Sequence, residues 1–346
     1  MKRNLLTLLM MLALQSIMAQ TTIVCNAEGE LPQLLSEKAQ GVTELAISGA
    51  VSAEDVRAIN NYPKIKSLNL TGARLSVIPE KAWDNLHSLT QLQLPKAIDT
   101  LYLDAISCNK YNKNWIDIYL SGKFPHLKNY PIPVETAPLY QWIVTEDNDM
   151  LVVEIDENAA QIGGGIFSAD KKILYKALSL DYSLSGDIDY NVEKVWDCAF
   201  SQLFAADYAD IILHEVKEIS NSAFCDFSYA IAIDGNIDKR YGLYVTLDTE
   251  LPPKKVGEGN LNHNVPCKDI LRFWVSDIDL YIQDDPSWAE LNLEDSNGIR
   301  WGTKVENIST NDKTPSTPYY DLMGRPVANP TRGIYIKDGR KVVIGQ

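Results

Sequence analysis

The chain has 346 residues, a formal net charge of -14 and a pI near 4.8, with 45% hydrophobic and 23% charged residues. That balance is globular and excludes disorder along the whole chain, while the negative field repels nucleic acid and anionic lipid instead of gathering them. There is enough material for a large core, either as two domains or as one elongated repeat array.

Residues 1–19 open with Lys2 and Arg3, run apolar from Leu5 to Leu14 and end on small Ala19, followed by Gln20. This is the layout of a cleavable secretory signal, so cleavage is expected between Ala19 and Gln20, and the mature chain is expected to be exported. The apolar run is shorter than the roughly 20 residues that a spanning helix needs, and no later stretch reads as a transmembrane segment. Cys25 follows Ile23 and Val24 instead of a small-residue pair, so it does not read as a lipid acceptor.

Five cysteines, Cys25, Cys108, Cys198, Cys225 and Cys267, leave at least one unpaired, and their pairing stays open. Buried free thiols are the expectation, because an unpaired cysteine packs as a small hydrophobe. No CxxC pair occurs, and His87, His126, His214 and His263 are too scattered for a spaced zinc set.

Glu30 to Lys38 reads as a short amphipathic helix covering the exposed end of a repeat core. Ser52-Ala53-Glu54-Asp55 reads as a second helix start, with a capping serine and early carboxylates. Val42-x-x-Leu45-x-Ile47, Ile65-x-x-Leu68-x-Leu70 and Leu89-x-x-Leu92-x-Leu94 place Leu45, Leu68 and Leu92 at steps of 23 and 24 residues. Strands are expected near 43–47, 65–70 and 89–94 as one face of a curved parallel sheet.

A second pattern follows each strand. Leu75-x-x-Ile78-x-x-x-Ala82-Trp83, Ile98-x-x-Leu101-x-x-x-Ala105-Ile106, Val192-x-x-Val195-x-x-x-Ala199-Phe200 and Val216-x-x-Ile219-x-x-x-Ala223-Phe224 share one spacing. The paired aliphatics should line the inner turn, the alanine should permit close approach, and the aromatic should fill the space between successive coils. Residues 109–161 fit the period poorly, Pro131, Pro133 and Pro138 mark a stiff break, and 254–275 read as an insertion.

With these motifs the chain resembles the BspA-like leucine-rich-repeat proteins of Bacteroidetes surfaces, whose repeats end like Ile78-Pro79-Glu80-Lys81-Ala82-Trp83. The stretch from Gly163-Gly164-Gly165 to Tyr175 is similar to the hairpin that these proteins insert between repeats, and Leu251-Pro252-Pro253 with Asp279 to Ile282 and Pro286-Ser287-Trp288 is similar to their terminal repeat. The triple glycine lacks the Lys-Ser/Thr ending of a phosphate loop and reads as the tight turn of that hairpin. The resemblance implies an α/β repeat solenoid, a right-handed array of short parallel strands with short helices or turns. Its segments would be 20–130 with the capping helix and 131–308 with the hairpin, followed by a linker at 309–318 rich in Ser, Thr, Asn and Pro.

Residues 319–346 carry short apolar runs between Gly turns and read as a small β module. Gly324 and Arg325 in Asp-x-x-Gly-Arg, then Gly333, Tyr335, Gly339 and Lys341, resemble the sorting tails of proteins handled by type IX secretion. That resemblance implies passage across the outer membrane, often with removal of the tail.

A repeat array offers an extended concave surface for binding, and the resemblance implies adhesion. The expectation is a non-enzymatic adhesin for an extracellular protein or glycan, with Tyr119, Trp142, Tyr175 and Tyr244 as candidate stacking rings. No catalytic, cofactor-binding or metal-binding residue is assigned. The carboxylate groups Asp187 with Asp189, Glu146 with Asp147 and Asp149, and Asp284 with Asp285 would serve acid–base chemistry only if one were buried, and neither a Gly-x-Ser-x-Gly elbow nor a His-Glu-x-x-His helix accompanies them. Asp234-Gly235-Asn236-Ile237-Asp238 lacks the glycine and glutamate placement of a calcium loop. The alternatives are a structural or accessory subunit of a surface assembly and a secreted hydrolase.

Overall fold

A computed structural model describes residues 20–106, 116–129, 140–145, 149–153, 164–178, 184–201, 204–224, 228–229, 243–256, 271–296, 298–300, 319–321, 325–327, 333–337 and 340–344. The expected signal segment, including Ala19, lies outside these residues, as do Cys108, Cys225, Cys267, Gly324, Gly339 and the Asp234–Asp238 loop. The described chain is mostly parallel strands in sheets with three short helices among them, an α/β-like arrangement. It divides into two compact units, residues 1–299 and 300–346.

The first unit begins with β1 (Thr21–Cys25), α1 (Leu31–Lys38), β2 (Glu44–Ala50), α2 (Ala53–Arg57) and β3 (Ser67–Arg74). Next come β4 (Val77–Ile78), β5 (Gln91–Gln93), β6 (Thr100–Tyr102), β7 (Ile116–Leu120), β8 (His126–Lys128) and β9 (Tyr140–Val144). Strands β1-β2-β3-β5-β7-β9 form one parallel sheet and β4-β6-β8 a second.

The repeat leucines stack in direct register, Leu45 opposite Leu68 and Leu68 opposite Leu92, and the row continues through Ile118 to Trp142. Thus the sheet runs on through the stretch that fits the sequence period poorly. The step from Leu92 to Ile118 is 26 residues, so the longer connection displaces the pattern without breaking the pairing.

Local chemistry fixes the start of this array. Leu31 and Leu35, one turn apart on α1, are fully buried over the core edge. Ser52 accepts the Asp55 amide while the Asp55 carboxylate accepts the Ser52 amide, a reciprocal cap that starts α2. Gly49 sits opposite Cys25 at φ 89°, where an added Cβ would lie 2.0 Å from the Cys25 carbonyl oxygen. Only glycine tolerates both the backbone angle and the approach.

The unit continues with β10 (Met150–Val153), β11 (Gly165–Ser168), β12 (Ile173–Ala177), β13 (Leu184–Asn191), β14 (Lys194–Val195), β15 (Phe204–His214) and β16 (Glu218–Ile219). Then follow β17 (Ser228–Tyr229), β18 (Leu243–Asp248), β19 (Lys254–Lys255), β20 (Leu271–Val275), α3 (Ile278–Asp284), β21 (Leu293–Asp295) and β22 (Gly298–Arg300). One sheet runs β10-β11-β12-β14-β16-β19, antiparallel across its first three strands and parallel thereafter, and another runs β13-β15-β18-β20-β21-β22 with β17 beside β15. Both ends of the expected insertion, Lys254–Lys255 and Leu271–Val275, therefore belong to sheets.

The hairpin differs from its expected form. Its tight turn lies between β11 and β12, where Lys171 takes φ 58° and Asp170 accepts the Lys172 amide at 3.1 Å. Gly165 is inside β11, not in a turn, and an added Cβ there would meet the Leu174 side chain and the Lys176 carbonyl oxygen at 2.9 Å each. The glycine is required by close strand packing, and Gly163 lies outside the described residues.

The Ala-aromatic pattern forms turns between strands. Lys81, Cys198 and Ser222, each directly before the alanine, hold φ of 51°, 52° and 50°. The next amides bridge to the following copy of the pattern, Trp83 N–H to the Ala105 carbonyl at 3.0 Å and Phe200 N–H to the Ala223 carbonyl at 2.8 Å. Ile78, Ala82, Trp83, Val195, Ala199, Phe200, Ile219, Ala223 and Phe224 are all buried. The Phe200 and Phe224 rings stack at 4.8 Å and 2°, a contact worth about 1 kcal/mol beyond area burial.

Two hydrophobic cores result. One gathers residues from Ile23 to Ile166 with Cys198, and the other residues from Phe167 to Leu293. Adjacent Ile166 and Phe167 point to different cores, as alternation along β11 dictates.

The second unit is an antiparallel sheet, in the order β24-β23-β25-β26, of β23 (Tyr319–Tyr320), β24 (Pro326–Val327), β25 (Gly333–Lys337) and β26 (Arg340–Ile344). Arg325 donates its amide and its Nε–H to the Asp321 carboxylate at 2.9 and 2.7 Å, which closes the turn between β23 and β24. Tyr335 lies edge-on to Tyr319, while Gly333 and Lys341 lie on β25 and β26.

Candidate functional site

Strand alternation sends one set of side chains into the cores and the other outward. On the first sheet the outward row is Thr22, Ala46, Asn69, Gln93, Tyr119 and Ile143, aligned by direct register. A second outward row is Glu44, Ser67, Gln91, Asp117 and Gln141. The surface is dense in hydroxyl, amide and carboxylate groups.

The corresponding row on the sheet of β13-β15-β18-β20-β21 is Asp189, Ile212, Thr246, Trp274 and Glu294. Trp274 is 38% exposed, an unusual position for a large apolar ring. Around it the polar groups are cross-linked. Thr246 Oγ1 donates to Asp210 at 2.9 Å, Arg272 donates to the Tyr244 hydroxyl at 2.8 Å, and the guanidinium lies 5.5 Å from the Tyr244 ring centre.

His214 lies between two carboxylates, with Nδ1 2.8 Å from Asp248 and Nε2 3.2 Å from Asp189. Partial burial lowers its pKa, but the two hydrogen-bonded carboxylates outweigh that and raise it above the ordinary histidine value.

A cleft of about 620 Å³ opens beside the first core, against which its Ile98, Phe124, Met150, Tyr175 and Trp196 side chains pack. Residues 96–99 and 121–126 supply one wall, and Asp149, Met150, Tyr175 and Trp196 the other. The Phe124 and Tyr175 rings are nearly parallel at 5.3 Å, Tyr175 meets Trp196 edge-on at 5.4 Å, and His126 stacks on Trp196 at 4.4 Å. Trp142 is buried behind them, 5.1 Å from Phe124.

The walls are pinned together. Trp196 donates its indole N–H to the Pro125 carbonyl at 3.0 Å, and His126 Nδ1 lies 2.8 Å from Asp197. Burial pushes the Asp197 carboxyl above the usual range, against the pull of its His126 hydrogen bond. Burial, and then the Asp170 and Asp149 charges, raise the Tyr175 phenol.

No protein-family model matches the chain, and no curated protein matches it. Among solved structures it is similar to the pneumococcal vaccine antigen PcpA, at 14% identity over 73% of this chain and 78% of that chain, with a TM-score of 0.26. At that score the likeness carries no argument.

The residues singled out in the sequence distribute unevenly over these surfaces. Tyr175 lines the cleft, Trp142 supports it from behind, Tyr119 lies in the first outward row, and Tyr244 is held by Arg272. Asp189 is engaged by His214, Asp285 caps the 3-10 turn at Ser287 and pairs with Lys255 at 3.1 Å, and Asp149 lies at the cleft. Glu146 and Asp147 lie outside the described residues. Cys25 and Cys198 are buried free thiols, and burial raises the Cys25 pKa further from reactivity.

Sequence reading missed Phe124, His126, Trp196 and Trp274. Trp196 carried a usable signal, a large ring directly after Val195 in the repeat, and it packs half-buried against the first core. No helix among the described residues is long and apolar enough to cross a membrane, and no group of three or more His, Cys, Asp or Glu side chains among them is placed to hold a metal ion.

Proposed function

We propose that this chain is a non-enzymatic, secreted or surface-displayed leucine-rich-repeat adhesin, which binds an extracellular protein or glycan through the outward strand faces of its parallel sheets. The reading treats the body as a BspA-like solenoid and residues 319–346 as a type IX sorting tail. Supporting the repeat assignment are the register rows at 23- and 24-residue steps and the shared left-handed turn before Ala82, Ala199 and Ala223.

The observation that carries the binding assignment is Trp274. An exposed indole on a regular sheet, flanked in its row by Thr246 and Glu294 and beside Arg272, has the composition of an interface anchor, an aromatic with arginine near the centre and polar groups around it. The β strands beneath hold it rigidly, so little ordering entropy opposes binding.

The test is a binding screen of the full chain against immobilised extracellular-matrix proteins and glycans, with each hit assayed for chemical change. Saturable binding that leaves the ligand intact and weakens at least ten-fold in Trp274→Ala is the expected result. Turnover of a hit would replace the reading with a hydrolase, and binding indifferent to Trp274 would remove this face from it.

A further inference from the structure

We propose that the cleft beside Tyr175 and Trp196 is a second binding site, one that takes a neutral oligosaccharide, with the sugar ring packed on these rings and its hydroxyls bonded to the charged rim. The proposal rests on the reading of the chain as a binding protein but not on the face around Trp274.

Four exposed charges lie at the cleft, Lys96 and Lys123 against Asp99 and Asp149. They sum to zero, so an isolated anion or cation meets as much repulsion as attraction. A sugar hydroxyl both donates and accepts, and is matched by a rim that interleaves ammonium donors with carboxylate acceptors. Ser121 also lines the cleft, with its Oγ turned away from solvent.

The apolar part of the site is equally specific. Tyr175 and Trp196, both half-buried and edge-on to each other at 5.4 Å, give the ring surface against which the C–H face of a pyranose packs, with Phe124 buried behind Tyr175. The site is preformed. Gly122 lies so close to the other strand connection that an added Cβ would stand 2.2 Å from the Lys96 carbonyl oxygen, and the Trp196–Pro125 and His126–Asp197 bonds lock the opposite side. Its volume of about 620 Å³ falls inside the range of small-ligand sites, about 300–1,000 Å³.

Saturation-transfer NMR on the full chain tests this with maltotriose, cellotriose, chitotriose, mannotriose and lactose, alongside sialyllactose and a short mixed-charge peptide. At least one neutral sugar should bind saturably with its ring protons nearest the protein. Asp149→Asn and Lys123→Gln, both at exposed positions, should each weaken that binding about ten-fold, while Trp274→Ala leaves it unchanged. Silence of all five neutral sugars overturns the proposal, as does binding that both rim variants leave intact, or capture of sialyllactose or the peptide alone. Loss of sugar binding in Trp274→Ala with intact rim dependence also overturns it, by merging the two sites. Failure here with a Trp274-dependent protein hit leaves the sheet-face reading standing, so the two are separable.

Discussion

At the scale of single residues, Asp55 shows how one side chain can organise a chain terminus. It is 3% exposed and accepts four hydrogen bonds, two from the Gly29 amide and two from Ser52, through its amide and its hydroxyl. Burial pushes its pKa up, but the Gly29 and Ser52 bonds outweigh burial and hold it below the ordinary carboxylate value. A depressed carboxylate stabilises the fold above its unfolded pKa, near 3.9, and loses that contribution as pH falls through the folded value. Asp55→Ala should therefore lower unfolding free energy by about 3 kcal/mol at neutral pH, with the deficit shrinking below about pH 4, as read from urea titrations at pH 7 and pH 3. An equal deficit at both values would mean that packing, not charge, supplies the effect.

At the scale of elements, the second array is tied by side chains as well as by strand hydrogen bonds. His214 on β15 reaches Asp189 on β13 and Asp248 on β18, so a doubly protonated ring joins three neighbouring strands. Because its folded pKa is raised, this stabilisation is fully present below about pH 6.5 and disappears as pH rises through the folded value. The stability gap between the parent chain and His214→Gln should consequently be larger at pH 5.5 than at pH 8.5. Chemical denaturation at the two pH values measures it, and a constant gap would show that the ring acts through packing alone. The pairing partners are partly exposed, so salt should narrow the gap at pH 5.5.

At the scale of the whole molecule, the division at residue 299 has a thermodynamic consequence. Both hydrophobic cores lie within the first unit, the last core residue being Leu293, and the second unit has its own four-stranded sheet. A chain ending at Ile299 should keep its cooperative unfolding transition within a few degrees of the full chain, by circular dichroism during heating. A loss of cooperativity would show that the tail is part of the folding unit. At the cleft, Trp196 stacks on His126 and so pairs elements whose sequence positions differ by 70 residues. The cleft is thus a place where long-range packing and an open surface coincide.

What the sequence determined alone was local and periodic. Leu45, Leu68 and Leu92 at near-constant steps define which residues share a row, and Ser52 with Asp55 defines a helix start, because each depends only on neighbours along the chain or on translation by one repeat. The buried set Ile78, Trp83, Val195, Phe200, Ile219 and Phe224 was readable for the same reason. Tertiary structure decided everything that depends on contact between unlike segments. The 26-residue step to Ile118 restores register only because β7 finds β5 in space, Gly165 serves strand packing because Leu174 and Lys176 lie against it, and the rings of the cleft meet only because β12 and β14 carry Tyr175 and Trp196 to Phe124 and His126. A repeat specifies its own interior by translation, whereas an outward side chain acquires a role only from what folding sets beside it.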